Sequence, residues 1–430
     1  MTNFAVYSDM KTSKALVIGL LATLLCCGYK AVGQDYPWLA NNNIMVEARV
    51  HYGFFYHHHF EMERFNKHYP AFEVSLYQNT YGKEEWEALY NYPYIGVTFY
   101  QSNQGGFEEL GQVYALYPFI NYPLNRNEAS QLTFKLGIGL AYLTNHFDPY
   151  ENYYNFSIGS HLNACANLSF EYRQRITRRL MTVASVGLTH FSNGSTKQPN
   201  YGLNTISGAL GVAYYLRKPR INLTPASRPK RYPFEFDKKK WLCFDLDYGI
   251  GFKNVSQTLG GDSDLYYTVH DFSVYFLGQF TRSSRAGLCL STVLDYSDQT
   301  LPGRYVDEEG IHVKQFDMEG HLTNVALIKP YQMTKLNLSL CYAMTMNRLS
   351  YYFEFGWHLK YNEFTDLSKG KVFQKFSFRL QLYDNLFAHL SLVTHIARAD
   401  YVTIGLGYRI NQKYYLNHEK KTQRRLPGIH

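Results

Sequence analysis

The chain has 430 residues, a formal net charge of +8, 40 tyrosines and 29 phenylalanines, but only 18% charged residues. An average soluble domain carries about 25% charged residues, and a helical membrane protein would be far more hydrophobic than the mean hydropathy of -0.33 indicates. These values argue against both classes and are typical of strands that alternate between a lipid-facing apolar side and a polar interior.

The amino-terminal region predicts a secretory signal peptide. Two lysines precede an uninterrupted apolar run over residues 15–27, and small residues lead up to a cleavage site near Gly33. We therefore assign residues 1–33 to a signal peptide. The run is too short to cross a bilayer, and no later segment reaches the roughly 20 apolar residues of a spanning helix. If the exported chain enters a membrane, it must do so with strands.

The following region, residues 34–217, contains about eight alternating segments, the smallest number that closes a membrane barrel. In the fifth segment, Phe134, Leu136 and Ile138 alternate with small or polar residues, so the two sets lie on opposite faces of one strand. The sequence therefore predicts an all-β fold, an antiparallel transmembrane β-barrel. Its segments lie at residues 44–55, 72–80, 94–102, 112–124, 132–143, 161–173, 181–192 and 204–216.

The last two segments flank residues 190–204, the one stretch in which a nucleophile, a base and a turn occur together. His190 and Ser192 share the lipid-facing side of their strand, because side chains repeat every two residues. Turn-forming residues between the segments predict a hairpin, and this hairpin brings Asn204 beside the pair. With an even number of strands the loop is extracellular. A nucleophile high on a lipid-facing wall suits an enzyme that acts on the outer leaflet.

A break in composition separates the two halves of the chain. Residues 218–240 are basic, rich in proline and without alternation, which predicts an exposed periplasmic linker. Alternation resumes over residues 241–412, so we expect a second barrel in tandem and then a basic tail at residues 413–430. One larger barrel of about sixteen strands, serving as a pore, is the alternative, but periplasmic turns within a single barrel are usually short.

The end of the second unit mirrors the end of the first, which indicates an internal duplication. In this copy Ala397 occupies the place of Ser192, and only His395 remains of the candidate pair. We therefore expect the second unit to be a degenerate, inactive copy. The basic linker and tail favour contact with anionic lipid or peptidoglycan, and an exported chain should not meet nucleic acid.

The stretch around the hairpin has a recognisable pattern. It reads His190-x-Ser192-Asn193-Gly194, then Pro199-Asn200-x-Gly202-x-Asn204. This pattern resembles the outer-membrane lipid A 3-O-deacylases of Gram-negative bacteria, an acyloxyacyl hydrolase-like barrel family. Two upstream pieces also look like this family, Gly82-Lys83-x-x-Trp86 and Gly159-Ser160-His161-Leu162-Asn163. The resemblance covers about residues 44–218 and only faintly the second half.

The resemblance implies that the chain hydrolyses an ester-linked 3-hydroxyacyl chain of lipid A. The substrate would be lipopolysaccharide in the outer leaflet of the cell outer membrane. Ser192 would be the nucleophile and His190 the general base, with Asn193 and Asn200 as donors to the oxyanion. This chemistry needs neither a metal nor a cofactor.

The sequence departs from the family at the third member of the catalytic set, where the family's Glu is replaced by Asn204. A carboxylate fixes the imidazole tautomer and stabilises the imidazolium, and in serine proteases its exchange for Asn costs about four orders of magnitude in turnover. Cys-His-Asn sites are nevertheless active, with the amide orienting the ring. Two functions therefore stay open: an active ester hydrolase, and a catalytically disabled barrel that binds lipopolysaccharide or a surface partner.

Overall fold

The fold is seen in a computed structural model. It describes residues 43–57, 59–80, 85–125, 127, 129–217, 242–254, 266–281, 283–297, 304–307, 310–316, 322–328, 334–346, 348–360, 370–383, 385–395 and 398–410. The predicted signal peptide, linker and basic tail lie outside these residues. Within them, no helix is both long and apolar enough to cross a bilayer.

The first half forms one closed antiparallel barrel in which each strand pairs with its neighbour along the chain and β1 pairs with β8. The predicted eight-stranded barrel is thereby confirmed. Short helical segments lie in its loops, at Phe60–Phe65, Glu85–Leu89 and Gln104–Gly106. The strands are β1 (Asn43–Phe55), β2 (His68–Asn79), β3 (Tyr94–Ser102), β4 (Val113–Pro123), β5 (Ser130–Leu143), β6 (Leu162–Arg175), β7 (Leu180–Ser192) and β8 (Leu203–Tyr215).

The second half closes as a separate antiparallel barrel of eight strands. The alternative of one larger barrel is therefore wrong, because β8 pairs with β1 and β9 pairs with β19. The barrel strands are β9 (Leu242–Asn254), β10 (Tyr266–Gln279), β11 (Ser284–Asp295), β15 (Thr334–Met346), β16 (Leu349–Lys360), β17 (Val372–Gln381), β18 (Leu386–His395) and β19 (Arg398–Ile410). A three-stranded sheet, which the sequence did not predict, lies between β11 and β15; it comprises β12 (Arg304–Asp307), β13 (Gly310–Phe316) and β14 (Leu322–Ile328).

The interior of the first barrel is filled by buried ion pairs. Lys135 Nζ lies 2.6 Å from Glu73 Oε1, and Arg173 Nη1 lies 2.8 Å from Glu171 Oε2. A buried charge is costly unless it is paired and hydrogen-bonded, so the two signs have to occur together on the inward faces of the strands. The interior is thus a polar core that holds the barrel wall in place.

The outer wall is apolar in both barrels. Val186 and Leu210 in the first barrel are 57% and 72% exposed, and Ile404 in the second is 64% exposed. These residues alternate with buried neighbours on the same strands, such as Thr189 on β7. The alternation of an apolar outer face with a polar interior is the pattern of a transmembrane barrel.

The two barrels touch at both rims. At the rim where β1 begins and β8 ends, the hydroxyl of Tyr90 donates to the carbonyl oxygens of Ser283 and Thr345, at 3.4 and 3.2 Å. At the opposite rim, Ser195 in the β7–β8 loop donates from its hydroxyl to the carbonyl oxygen of Ala399, at 2.8 Å. The barrels therefore stand side by side, and the loop that contains the candidate site faces the second barrel.

Candidate active site

The β7–β8 hairpin places His190 directly opposite Asn204 in the strand register. The neighbouring Thr189 and Phe191 are buried in the interior, so His190 and Ser192 lie on the outer side of the wall. Asn204 Oδ1 is 2.7 Å from His190 Nδ1. The alternation of β7 and the register of the hairpin thus assemble the base and its polar neighbour.

The contact with Asn204 has a defined chemical effect on His190. An amide oxygen only accepts hydrogen bonds, so Nδ1 of the imidazole is the protonated nitrogen and Nε2 keeps its lone pair. Gly202 makes room for this ring, since a Cβ at that position would lie 2.8 Å from His190 Cε1. The φ of +80° at Gly202 also favours glycine. The imidazole is therefore held in the tautomer that a general base requires.

Two donors converge on the hydroxyl oxygen of Ser192. The backbone N–H of Gly194 and the side-chain amide Nδ2 of Asn200 donate to Ser192 Oγ, at 3.1 and 3.0 Å. Within the described part of the chain, Ser192 Oγ has no hydrogen bond to His190. Catalytic hydrogen bonds are often long in the absence of substrate and tighten in the reacting complex. The arrangement places two hydrogen-bond donors on the hydroxyl oxygen of Ser192.

Asn193, a predicted donor to the oxyanion, bonds groups other than Ser192 in this structure. Its backbone N–H donates to Asn200 Oδ1 at 3.1 Å, and its side chain donates to Ser160 Oγ and to the Lys197 carbonyl at 3.1 and 2.7 Å. Asn193 therefore orients Asn200 and does not reach the nucleophile. The second donor to Ser192 Oγ is the backbone N–H of Gly194, a residue with a φ of +64°. The sequence marked Asn193-Gly194 as a turn but could not give the direction of its N–H groups.

A second loop supports the hairpin loop from behind. A Cβ on Gly159 would lie 2.9 Å from the carbonyl oxygens of Lys197, Gln198 and Pro199, so only glycine fits beneath that segment. The backbone N–H of Gly202 donates to the Ser157 carbonyl at 2.8 Å. Gly159-Ser160 belongs to the family pattern in the sequence, but no local signal there indicates this supporting role.

An aromatic stack covers the outer end of the hairpin loop. The rings of His59 and Tyr201 are parallel within 18°, with their centroids 4.0 Å apart. Burial lowers the pKa of His59 from its usual value; Glu61 raises it and Arg398, from the second barrel, lowers it. The second barrel therefore contributes a positive charge near the loop.

The predicted correspondence between His395 and His190 is wrong in one respect. His190 faces outwards, whereas His395 is buried and lines a cavity inside the second barrel together with Asp271 and Lys375. Its Nε2 is 3.1 Å from Nε2 of His358. Ala397, which was expected at the place of Ser192, lies outside the described residues. A histidine that faces the interior cannot act on a lipid outside the wall.

Comparisons with known proteins agree with this architecture. Residues 71–213 match the family model of lipid A 3-O-deacylase (PagL). Over these residues, the first half of the chain is similar to the lipid A 3-O-deacylase family. Residues 243–412 match the family model of the acyloxyacyl hydrolase C-terminal domain, so the second half, whose resemblance is faint in the sequence, has a family model of its own.

Matches among solved structures are distant, and no curated protein matches the chain. The crystal structure of Neisserial surface protein A is 8% identical, with a TM-score of 0.30, over 40% of this chain and 97% of that one. The crystal structure of the outer membrane enzyme PagL is 14% identical, with a TM-score of 0.27, over 38% of this chain and 97% of that one. The FrpB iron transporter of Neisseria meningitidis is 7% identical, with a TM-score of 0.21, over 86% of this chain and 70% of that one.

Proposed function

We propose that the first barrel is an outer-membrane hydrolase that removes an ester-linked 3-hydroxyacyl chain from lipid A of lipopolysaccharide. The observation that carries the proposal is the convergence of Gly194 N–H and the Asn200 amide on Ser192 Oγ. Donors aimed at a nucleophile on the outer wall suit acyl transfer from a membrane lipid. The match of residues 71–213 to the deacylase family supports the same substrate class.

The first half of the reaction forms an acyl-enzyme. His190 Nε2 takes the hydroxyl proton of Ser192, and Oγ attacks the ester carbonyl of the acyl chain. The tetrahedral intermediate collapses as the imidazolium returns the proton to the sugar oxygen, which leaves as an alcohol. The acyl chain is then bound to Ser192 through a new ester.

The charge on the intermediate falls on the former carbonyl oxygen, which lies next to Ser192 Oγ. The Gly194 N–H and the Asn200 amide are close enough to donate to it, because both already reach Oγ itself. Such donors stabilise the transition state more than the ground state, and removal of one typically costs about two to three orders of magnitude in kcat. Asn193 contributes by holding Asn200 in position.

The second half of the reaction releases the fatty acid. His190 Nε2 takes a proton from water, and the resulting hydroxide attacks the ester on Ser192. The imidazolium then returns the proton to Ser192 Oγ, which restores the free enzyme and liberates the 3-hydroxy acid. Every proton is exchanged between His190, water and the substrate, so the cycle balances without an added reactant.

Asn204 supports this chemistry as a positioning residue. Its Oδ1 keeps Nδ1 of His190 protonated, so that Nε2 is the nitrogen left to act as the base. A neutral amide does not stabilise the imidazolium by charge, as the carboxylate of the family's Glu would. We therefore expect slower turnover than in a barrel with Glu at this position.

The deciding experiment is mass spectrometry of lipid A from cells that express the wild type, Ser192→Ala or Asn204→Glu. The matched control is Thr182→Val, which removes a hydroxyl on the same outer face of β7 at the opposite rim. Loss of one hydroxyacyl mass in the wild type and in Thr182→Val, but not in Ser192→Ala, is the expected result. Release by Asn204→Glu alone would identify a disabled barrel that binds lipopolysaccharide, and release by none would end the hydrolase proposal.

A further inference from the structure

We propose that the second barrel positions the catalytic loop of the first. The site loop, residues 193–202, supplies Gly194 and Asn200 as donors to Ser192 Oγ. The inference rests on the proposed function for its catalytic meaning, but its structural part stands on contacts between the two barrels. All of the reacting groups belong to the first barrel, and the second would act on their geometry.

Three hydrogen bonds tie the site loop to the second barrel. The hydroxyl of Ser195 donates to the Ala399 carbonyl at 2.8 Å, and the Asn254 N–H donates to the Ser195 carbonyl at 3.2 Å. The N–H of Gln198 donates to Asn254 Oδ1 at 3.0 Å. Ser195 and Asn254 are only 4% and 1% exposed, so water does not compete for these bonds. The loop is therefore held on both sides of Lys197.

These bonds act on the part of the loop that has an unfavourable backbone conformation. Gly194 and Ser195 have φ angles of +64° and +66°, and Ser195 adopts this left-handed conformation despite its side chain. A residue with a Cβ pays a conformational cost there that glycine does not, and such a conformation persists only when its surroundings impose it. The second barrel supplies that constraint through both the side chain and the carbonyl of Ser195.

The left-handed turn has a consequence for the donors to Ser192. It begins at Gly194, whose N–H donates to Ser192 Oγ two residues earlier in the chain. It sets the path of the loop towards Asn200, whose amide is the second donor. A loop free to leave this conformation would lose the Asn200 donor.

Van der Waals packing of Gly194 against the second barrel adds to these hydrogen bonds. A Cβ on Gly194 would lie 2.5 Å from Cγ2 of Val402 and 3.8 Å from Cδ1 of Leu392, two side chains on the outer wall of the second barrel. Gly194 is therefore pressed between Ser192 and Val402. The second barrel thus packs directly against the turn.

The test uses the full chain with single substitutions at the contact. Ser195→Ala removes the bond to Ala399 but keeps the strained backbone, whereas Ser195→Gly removes the bond and the strain together. Asn254→Leu removes the acceptor for Gln198 and provides a second perturbation should Ser195→Ala not fold. Tyr90→Phe is the matched control, because it removes bonds between the barrels at the opposite rim.

Two measurements separate this inference from the proposed function. The first is kcat and KM for release of 3-hydroxy acid from lipid A in detergent micelles. The second is hydrogen–deuterium exchange over residues 193–200 of the same purified proteins, which needs no activity. If the wild type releases no fatty acid, the proposed function fails, and exchange alone decides whether the second barrel holds the loop.

We expect Ser195→Ala and Asn254→Leu to lower kcat about fivefold with KM unchanged, the effect of one lost hydrogen bond. Exchange over residues 193–200 should be faster in both. Ser195→Gly should lie closer to the wild type than Ser195→Ala, and Tyr90→Phe should match the wild type. Unchanged exchange in Ser195→Ala and Asn254→Leu, or an equal effect from Tyr90→Phe, would overturn the inference.

Discussion

His190 and Asn204 face each other across the β7–β8 hairpin, with Nδ1 of the imidazole 2.7 Å from Oδ1 of the amide. The contact fixes the tautomer of the base without adding a negative charge. It therefore separates two effects that a carboxylate exerts together: orientation of the ring and stabilisation of the imidazolium. Substitutions at Asn204 therefore test the orientation of the ring and the stabilisation of the imidazolium separately.

Asn204→Glu should raise kcat, because a carboxylate would keep the orientation of His190 and also stabilise the imidazolium that forms during attack. In serine proteases the reverse exchange costs about four orders of magnitude, which sets the upper limit of the gain. Asn204→Leu should lower kcat, because the tautomer is no longer fixed. Steady-state kinetics on purified lipid A measures both, and equal activity of the three proteins would contradict the role assigned to Asn204.

Removal of the Asn200 amide should cost about two to three orders of magnitude in kcat, as measured for single oxyanion donors. Asn200→Ala tests this loss in the same kinetic assay. Asn125→Ala removes an amide that bonds the Ser130 carbonyl in another loop and should leave kcat unchanged. Asn193→Ala keeps the backbone N–H that orients Asn200 and removes only the side-chain bonds to Ser160 and Lys197, so it should lose less activity than Asn200→Ala. The opposite order would assign the direct contact to Asn193.

Gly202→Ala should abolish the proposed hydrolysis, because its Cβ would meet His190 Cε1 at 2.8 Å in addition to the strain of a φ of +80°. Gly106→Ala is a matched control, since Gly106 has a φ of +77° and no atom within 4 Å of the added Cβ. The left-handed conformation should cost each variant about 1–2 kcal/mol in the free energy of unfolding. Denaturant titrations should show a loss of stability in both variants, larger in Gly202→Ala because of the contact with His190, and kinetics should show a loss of activity in Gly202→Ala alone.

Lys135→Met should lower the free energy of unfolding by about 3–5 kcal/mol, because it takes a cation from the buried carboxylates inside the barrel. Lys135 Nζ lies 2.6 Å from Glu73 Oε1, and both side chains are 1% exposed. Lys135→Met combined with Glu73→Gln should recover part of the loss, since fewer charges stay unpaired. Urea titration of each variant, folded in detergent, measures these free energies of unfolding.

The exposed pair of Arg64 and Glu109 provides the comparison for that experiment. Its atoms are 2.7 Å apart, but the side chains are 42% and 26% exposed. Screening by water reduces such pairs to about 0–1 kcal/mol. Arg64→Ala should therefore change the unfolding midpoint little, and a loss as large as that of Lys135→Met would refute the assignment of stability to the interior.

Local patterns in the sequence determined the strands and the faces of the site residues. The period of two along β7 predicts the outward direction of His190 and Ser192, and the hairpin then brings Asn204 beside them. The first barrel follows from eight such segments, and their predicted limits lie within a few residues of the observed strands. These features depend on residues close together in the chain, so their periodicity is readable without coordinates.

Only the tertiary structure decided the closure of two separate barrels, the three-stranded sheet β12–β14 and the inward direction of His395. It also showed that the backbone N–H of Gly194 bonds Ser192 Oγ. Ser195 of the site loop bonds Ala399, which lies 204 residues away in the chain. The sequence contains both residues but no local pattern that pairs them, because their contact arises only when the two closed barrels pack side by side.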